Sequence, residues 1–112
     1  MKLFCLLVIT VSLLLVGCAK PANELQAAGV VIISATYGSG TNFVDVTGRV
    51  NELLGHPHAN FFVHPQSLGD DQTPGWNKTL VIVYEFKRQR HILTTGEGDR
   101  VSVADLLHAA EL

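Results

Sequence analysis

Three imidazoles lie close together in the stretch GHPHANFFVH: His56, His58 and His64. Imidazole is the commonest side-chain ligand for zinc and copper. A His-x-His pair on extended backbone turns both rings to one face, although Pro57 stands between these two. His91, Asp70 or Asp71 can complete a ligand set only if the tertiary fold brings one of them near. No spacing matches an established zinc motif, so the sequence predicts no metal centre, with His56, His58 and His64 as the alternative. The loop LGDDQTPGWNK places two carboxylates, Asp70 and Asp71, before the only tryptophan, Trp76. Calcium takes about six to eight oxygen ligands, and this loop lacks that acidic density. Trp76 is the stronger candidate, because an exposed indole beside Asn, Asp and Gln can stack on a sugar ring or a partner surface. Trp76, Asp70 and Asp71 are therefore candidate ligand-binding residues.

The stretch YGSGTNFVDVT adds Tyr37, Asn42 and Asp45 to the candidates. It also has a plain structural reading. Gly38 and Gly40 can take positive φ where a strand turns, and Asp45 and Thr47 can satisfy backbone N–H groups at a turn or helix start. For catalysis the pieces do not assemble. There is no Gly-x-Ser-x-Gly elbow and no phosphate loop. The spacing of Asp45, Glu52, Glu85, Glu97 and the histidines demands no acid–base pair. The sequence predicts a non-catalytic protein without a cofactor.

The N-terminus carries a different chemistry. One charge, Lys2, precedes an apolar run over residues 3–16. A membrane-spanning helix needs about twenty apolar residues, so the run reads as the charged and apolar regions of a secretory signal. It ends in LVGC, residues 15–18, which resembles the lipobox of bacterial lipoproteins. That resemblance implies cleavage before Cys18, a signal peptide over residues 1–17, and diacylglycerol on the Cys18 thiol. In that family aspartate after the cysteine favours inner-membrane retention. Ala19 here implies the outer membrane, facing the periplasm. The first partner is then the lipid bilayer, held through Cys18; buried methylenes contribute about 0.8 kcal/mol each. Cys5 leaves with the signal, so the remaining chain has no disulfide to rest on, although the periplasm would allow one.

Residues 18–28 read as the lipidated cysteine and a tether, with a proline and small residues. Residues 29–112 suffice for one small domain and not two. The net charge of −2, with no basic stripe, argues against nucleic acid. GVVIISATYG reads as a first strand and NFVDV as a short second one. Val46, Val50, Leu53 and Leu54 share one helix face, with Asp45 or Thr47 as cap and Gly55 as stop. ANFFVH, TLVIVYEFKRQ, HILTT and RVSV follow as strands, KRQR as a hairpin connection, GEGD as a turn, and ADLLHAAEL as a short tail helix. In TLVIVYEFK, alternation sets Leu80, Ile82, Tyr84 and Phe86 against Val81, Val83, Glu85 and Lys87. The expected fold is all-β, a small antiparallel sandwich or open barrel with one or two short helices, preceded by a cleaved signal helix.

The ordered series SATYGSG, DVT, SLGDDQTPGWNKTLVIVYEF and GEGDRVSV resembles a small β domain with the pattern YG, DVT, LG-D-PG-K and EG. That domain is found at the C-terminus of some J-domain proteins and in secreted bacterial proteins, some of them carbohydrate-active. The resemblance covers residues 30–103 and departs at Asp71 and at the histidine cluster. It implies an accessory or interaction module and no particular chemistry. The expected function is a membrane-anchored, non-catalytic lipoprotein whose domain binds an envelope protein, with a glycan- or peptidoglycan-binding module as the alternative and a metal-binding envelope protein as the third reading.

Overall fold

In the computed structural model, which describes residues 23–69 and 77–111, the alternation in TLVIVYEF becomes a central strand. Leu80, Ile82 and Tyr84 are buried completely, while Val81, Val83 and Glu85 between them face the other way, half-exposed. The elements run α1 (Glu24–Ala28), β1 (Val30–Ser39), β2 (Asn42–Asp45), α2 (Thr47–Leu54), β3 (Asn60–Phe62), α3 (Pro65–Leu68), β4 (Thr79–Phe86), β5 (Gln89–Gly96), β6 (Arg100–Ser102) and α4 (Val103–Ala110). The chain is mostly β. Four strands form one antiparallel sheet in the order β2-β1-β4-β5, and β3 pairs with β6 in a second, short ladder.

The four-stranded sheet stays open, with β2 and β5 as its edges. The layer that a sandwich would build from strands consists here of helices and the β3–β6 ladder. Four helices stand among the described residues, against the one or two expected. Their buried residues, Leu25, Val50, Leu54, Leu68, Val103 and Leu106, join Val30, Ile32, Ala35 and Tyr37 of β1 and the inner residues of β4 in one core. The signal helix, Cys18 and the first part of the tether lie outside the described residues.

Two helices follow the sequence reading closely. In α2, Val46, Val50 and Leu54 are buried and Leu53 is half-buried, so the expected stripe faces the core. The N-cap residue is Val46, without a side-chain cap. Asp45 instead accepts from the Thr47 backbone N–H at 2.9 Å and from the Thr47 hydroxyl at 2.5 Å. That hydroxyl oxygen in turn accepts from the Ala35 N–H at 2.9 Å, which ties the helix start to β1. In α4, Ser102 and Asp105 form a reciprocal capping box, a motif that satisfies two orphan donors.

Two readings need correction. Residues 24–28, assigned above to the tether, form α1: Asn23 caps it by accepting from the Gln26 N–H at 2.8 Å, Gly29 ends it in the left-handed region, and Leu25 is buried. The competing physics is tertiary, since so short a helix does not persist in water by itself and needs the core contact of Leu25. The hairpin connection is also tighter than KRQR. Only Lys87 and Arg88 turn, both at positive φ (52° and 66°), and Gln89 and Arg90 already belong to β5. That is the two-residue turn whose twist matches a hairpin, made by residues that do not favour it.

Candidate binding surface

The outer face of the four-stranded sheet is the feature that the covering helices leave open. Register places its residues in rows. Val31 lies beside Glu85, which lies beside Arg90. In the next row Ser34 stands opposite Val83 and Val83 opposite Ile92; a β-bulge between Ile32 and Ser34 adds Ile33 there. Then come Asp45, Thr36, Val81 and Thr94, and after them Phe43, Gly38, Thr79 and Gly96. Val31 is 60% exposed, Ile33 38%, Phe43 43% and Ile92 66%, and these are four of the five large apolar residues exposed in the described structure. The fifth, Phe62, lies on the short ladder with the Arg100 guanidinium 4.9 Å from its ring centroid. Contiguous exposed apolar area rimmed by polar groups marks interaction surfaces. Here Val31, Ile33, Val83 and Ile92 form the contiguous area, bordered by Glu85 and Arg90 on one side and by the Asp45, Thr36 and Thr94 row on the other, and Phe43 stands beyond that row on the same face.

The sequence candidates distribute unevenly over this surface. Asp45 sits on the outer face and Asn42 at the tip of the β1–β2 hairpin, both exposed. The Asp45 carboxyl is held below its ordinary 3.8 by the hydrogen bond from the Thr47 hydroxyl and then by that from its backbone N–H. Tyr37 is a correction. It is 1% exposed and faces the core from β1, because the bulge resets the alternation so that Ala35 and Tyr37 point inward. Its hydroxyl donates to Glu97 Oε1 at 2.8 Å, and the Lys78 ammonium, 4% exposed, stands 3.4 Å from the same oxygen. Gly38 is needed for space and not for positive φ: a Cβ there would collide with the Asn42 carbonyl oxygen. Gly40, at φ 60°, makes the turn as expected. Trp76, Asp70 and Asp71 lie outside the described residues.

The histidines of the cluster lie in turns and bends. His64 caps α3, its Nδ1 accepting from the Gln66 N–H at 3.2 Å. His56 offers its carbonyl to the Ala59 N–H at 3.1 Å, and His58 takes positive φ in the turn between them. His91 packs against Tyr84 with ring centroids 5.5 Å apart. Among the described residues no three His, Cys, Asp or Glu side chains gather as a metal site.

A second feature lies under the β5 edge. An open cleft of about 410 Å³ runs between β5 and α4, with Leu93, Val101 and Ala109 as apolar lining and His108 on its wall. Its two carboxylates are committed: Asp99 accepts from the Gly96 N–H and the Thr95 hydroxyl, and Asp105 from the Ser102 N–H and hydroxyl.

Comparison of the chain with protein-family models, curated proteins and solved structures returned no match. The surface itself therefore carries the functional argument. Sequence reasoning passed over Val31, Ile33, Phe43 and Ile92 as ordinary strand residues. A signal for them was present, since VVII and VIV are apolar on both faces. Such strands need cover on both sides, and a domain of this length has helices for only one.

Proposed function

We propose that this chain is a lipoprotein of the bacterial cell envelope, anchored through a lipidated Cys18, whose β-rich domain is a non-catalytic module that binds an envelope protein. The observation that carries the binding role is the concentration of Val31, Ile33, Phe43 and Ile92 on one uncovered sheet face. A flat apolar face suits a protein surface better than a polar sugar. Glycan or peptidoglycan binding is the second reading, supported by the position of Trp76 in a polar loop rich in Asn, Asp and Gln. The LVGC box and the apolar run before it support the anchor, and Ala19 supports the outer membrane.

The test is site-specific photocross-linking in intact cells. A photoreactive residue at Val31 or Phe43 should give one adduct of defined mass. The same residue at Glu52, exposed on the helical side, should not. Equal adducts at all three positions, or none at Val31 and Phe43, would remove the sheet face as the site. Retention of the purified chain on peptidoglycan, lost in Trp76→Ala, would favour the glycan reading instead.

A further inference from the structure

The β5 edge has a hydrogen-bonding pattern and a charge order that suit a second copy of itself. The Glu97 N–H donates to the Lys78 carbonyl at 3.1 Å. Antiparallel ladders alternate strictly, so the backbone groups of residues 91, 93 and 95 turn toward β4 and those of Arg90, Ile92 and Thr94 turn away from it. Gly96 is next in the outward series, and Asp99 takes both of its groups: the Gly96 N–H donates to Asp99 Oδ2 at 3.0 Å and the Asp99 N–H to the Gly96 carbonyl at 3.2 Å. The outward N–H and C=O of Arg90, Ile92 and Thr94 have no partner among the described residues. An eight-residue edge with such a row is a template for strand addition. β2, the other edge, has four residues.

We infer that two copies of this chain pair antiparallel through β5, about a two-fold axis at Ile92. The register follows from charge. The edge is basic where it begins, at Lys87, Arg88 and Arg90, and acidic just past its end, at Glu97 and Asp99. Antiparallel pairing centred on Ile92 sets Arg90 opposite Thr94 of the second copy and brings Lys87 and Arg88 alongside its Glu97 and Asp99, twice by symmetry; within one copy the contacts of these carboxylates fall on Glu97 Oε1 and Asp99 Oδ2, so Oε2 and Oδ1 are the oxygens that would face the added cations. Centring the axis on Arg90 would set like charges directly opposite, which is destabilising. At the axis the two Ile92 side chains, each 66% exposed in a single copy, cover one another on the outer face. On the inner side the cleft beside Leu93 receives His91 of the second copy. The product is one eight-stranded sheet with the apolar outer face continuous across both copies. This goes beyond the proposed envelope binding and does not depend on it, because Val31 and Phe43 stay uncovered in the dimer.

Disulfide trapping of the full chain tests the register. Residues facing each other as a hydrogen-bonded antiparallel pair have Cα atoms about 5.5 Å apart, inside the disulfide range of about 4.4–6.8 Å. Ile92→Cys should give a covalent dimer on mild oxidation. Val31→Cys, equally exposed on the same face but one strand removed from the β4–β5 hairpin, should give no more than the unsubstituted chain. Equal trapping at both positions, or none at either, overturns the inference. Sedimentation of the detergent-solubilised full chain is the second arm. A dimer that weakens as salt rises is expected. Thr94→Pro removes an outward N–H and spares the β4–β5 ladder, so it should weaken association about tenfold or more while circular dichroism is unchanged. A chain that remains monomeric, including one whose edge takes up an added extended peptide, overturns the second copy as the occupant.

Discussion

The Tyr37 hydroxyl donates to Glu97 Oε1 at 2.8 Å across sixty positions of sequence, and Lys78 meets the same oxygen at 3.4 Å. One carboxylate thus joins β1, the start of β4 and the turn after β5. Tyr37 and Lys78 are almost fully buried, whereas the Glu97 side chain is 25% exposed. Glu97→Ala should destabilise the domain by about 2–3 kcal/mol, less than the 3–5 of a fully buried pair because water reaches one partner. Tyr37→Phe should cost about 1 kcal/mol, the net worth of one hydrogen bond. Urea unfolding of both variants checks the order; equal losses would mean that Lys78 does not depend on Glu97.

Asp45 gives a pH dependence. Its carboxyl is held below 3.8 by the Thr47 hydroxyl and N–H. A carboxylate whose folded-state pKa is depressed stabilises above its unfolded value, and that contribution fades as pH falls from about 3.8 through the lower folded value. The sign is therefore acid lability. Asp45→Ala should be less stable than the unsubstituted chain near neutrality, and the two melting temperatures should converge at strongly acidic pH. Parallel curves over the whole range would remove Asp45 as a contributor.

Lys87 and Arg88 hold positive φ in a two-residue hairpin turn. Glycine and asparagine adopt that region at lower cost. Replacing the pair by Asn-Gly should raise stability by about 0.5–1 kcal/mol. Thermal unfolding measures it. A loss would mean that the Lys87 ammonium, 5.1 Å from the Phe86 ring centroid, matters more than the turn.

The proposed anchor has a direct assay. Cys18→Ser should abolish incorporation of labelled palmitate and leave the chain uncleaved or soluble. A serine variant that still labels and still fractionates with membranes would exclude the lipobox.

Much of the local structure is legible in the residues themselves. The alternation from Leu80 to Phe86 separates two faces of β4, and Val46, Val50 and Leu54 mark the buried stripe of α2. Ser102 with Asp105 marks the start of α4, whereas α1 is hidden in what reads as a tether, because five residues hold a helix only through the core contact of Leu25. These signals are visible because each depends on neighbours within a turn or two of chain. What they omit is which face of a strand will be covered. Tyr37 reads as a loop-side ligand residue until the bulge at Ile33 and the distant Glu97 fix it inward. Val31, Phe43 and Ile92 read as ordinary strand residues until the helices close over the opposite face. Alternation assigns residues to a common side at no cost in sequence distance. Burial of that side depends on elements tens of residues away, so only the tertiary packing of α1, α2, α4 and the β3–β6 ladder decided that, among the described residues, one apolar sheet face and one long strand edge stay open.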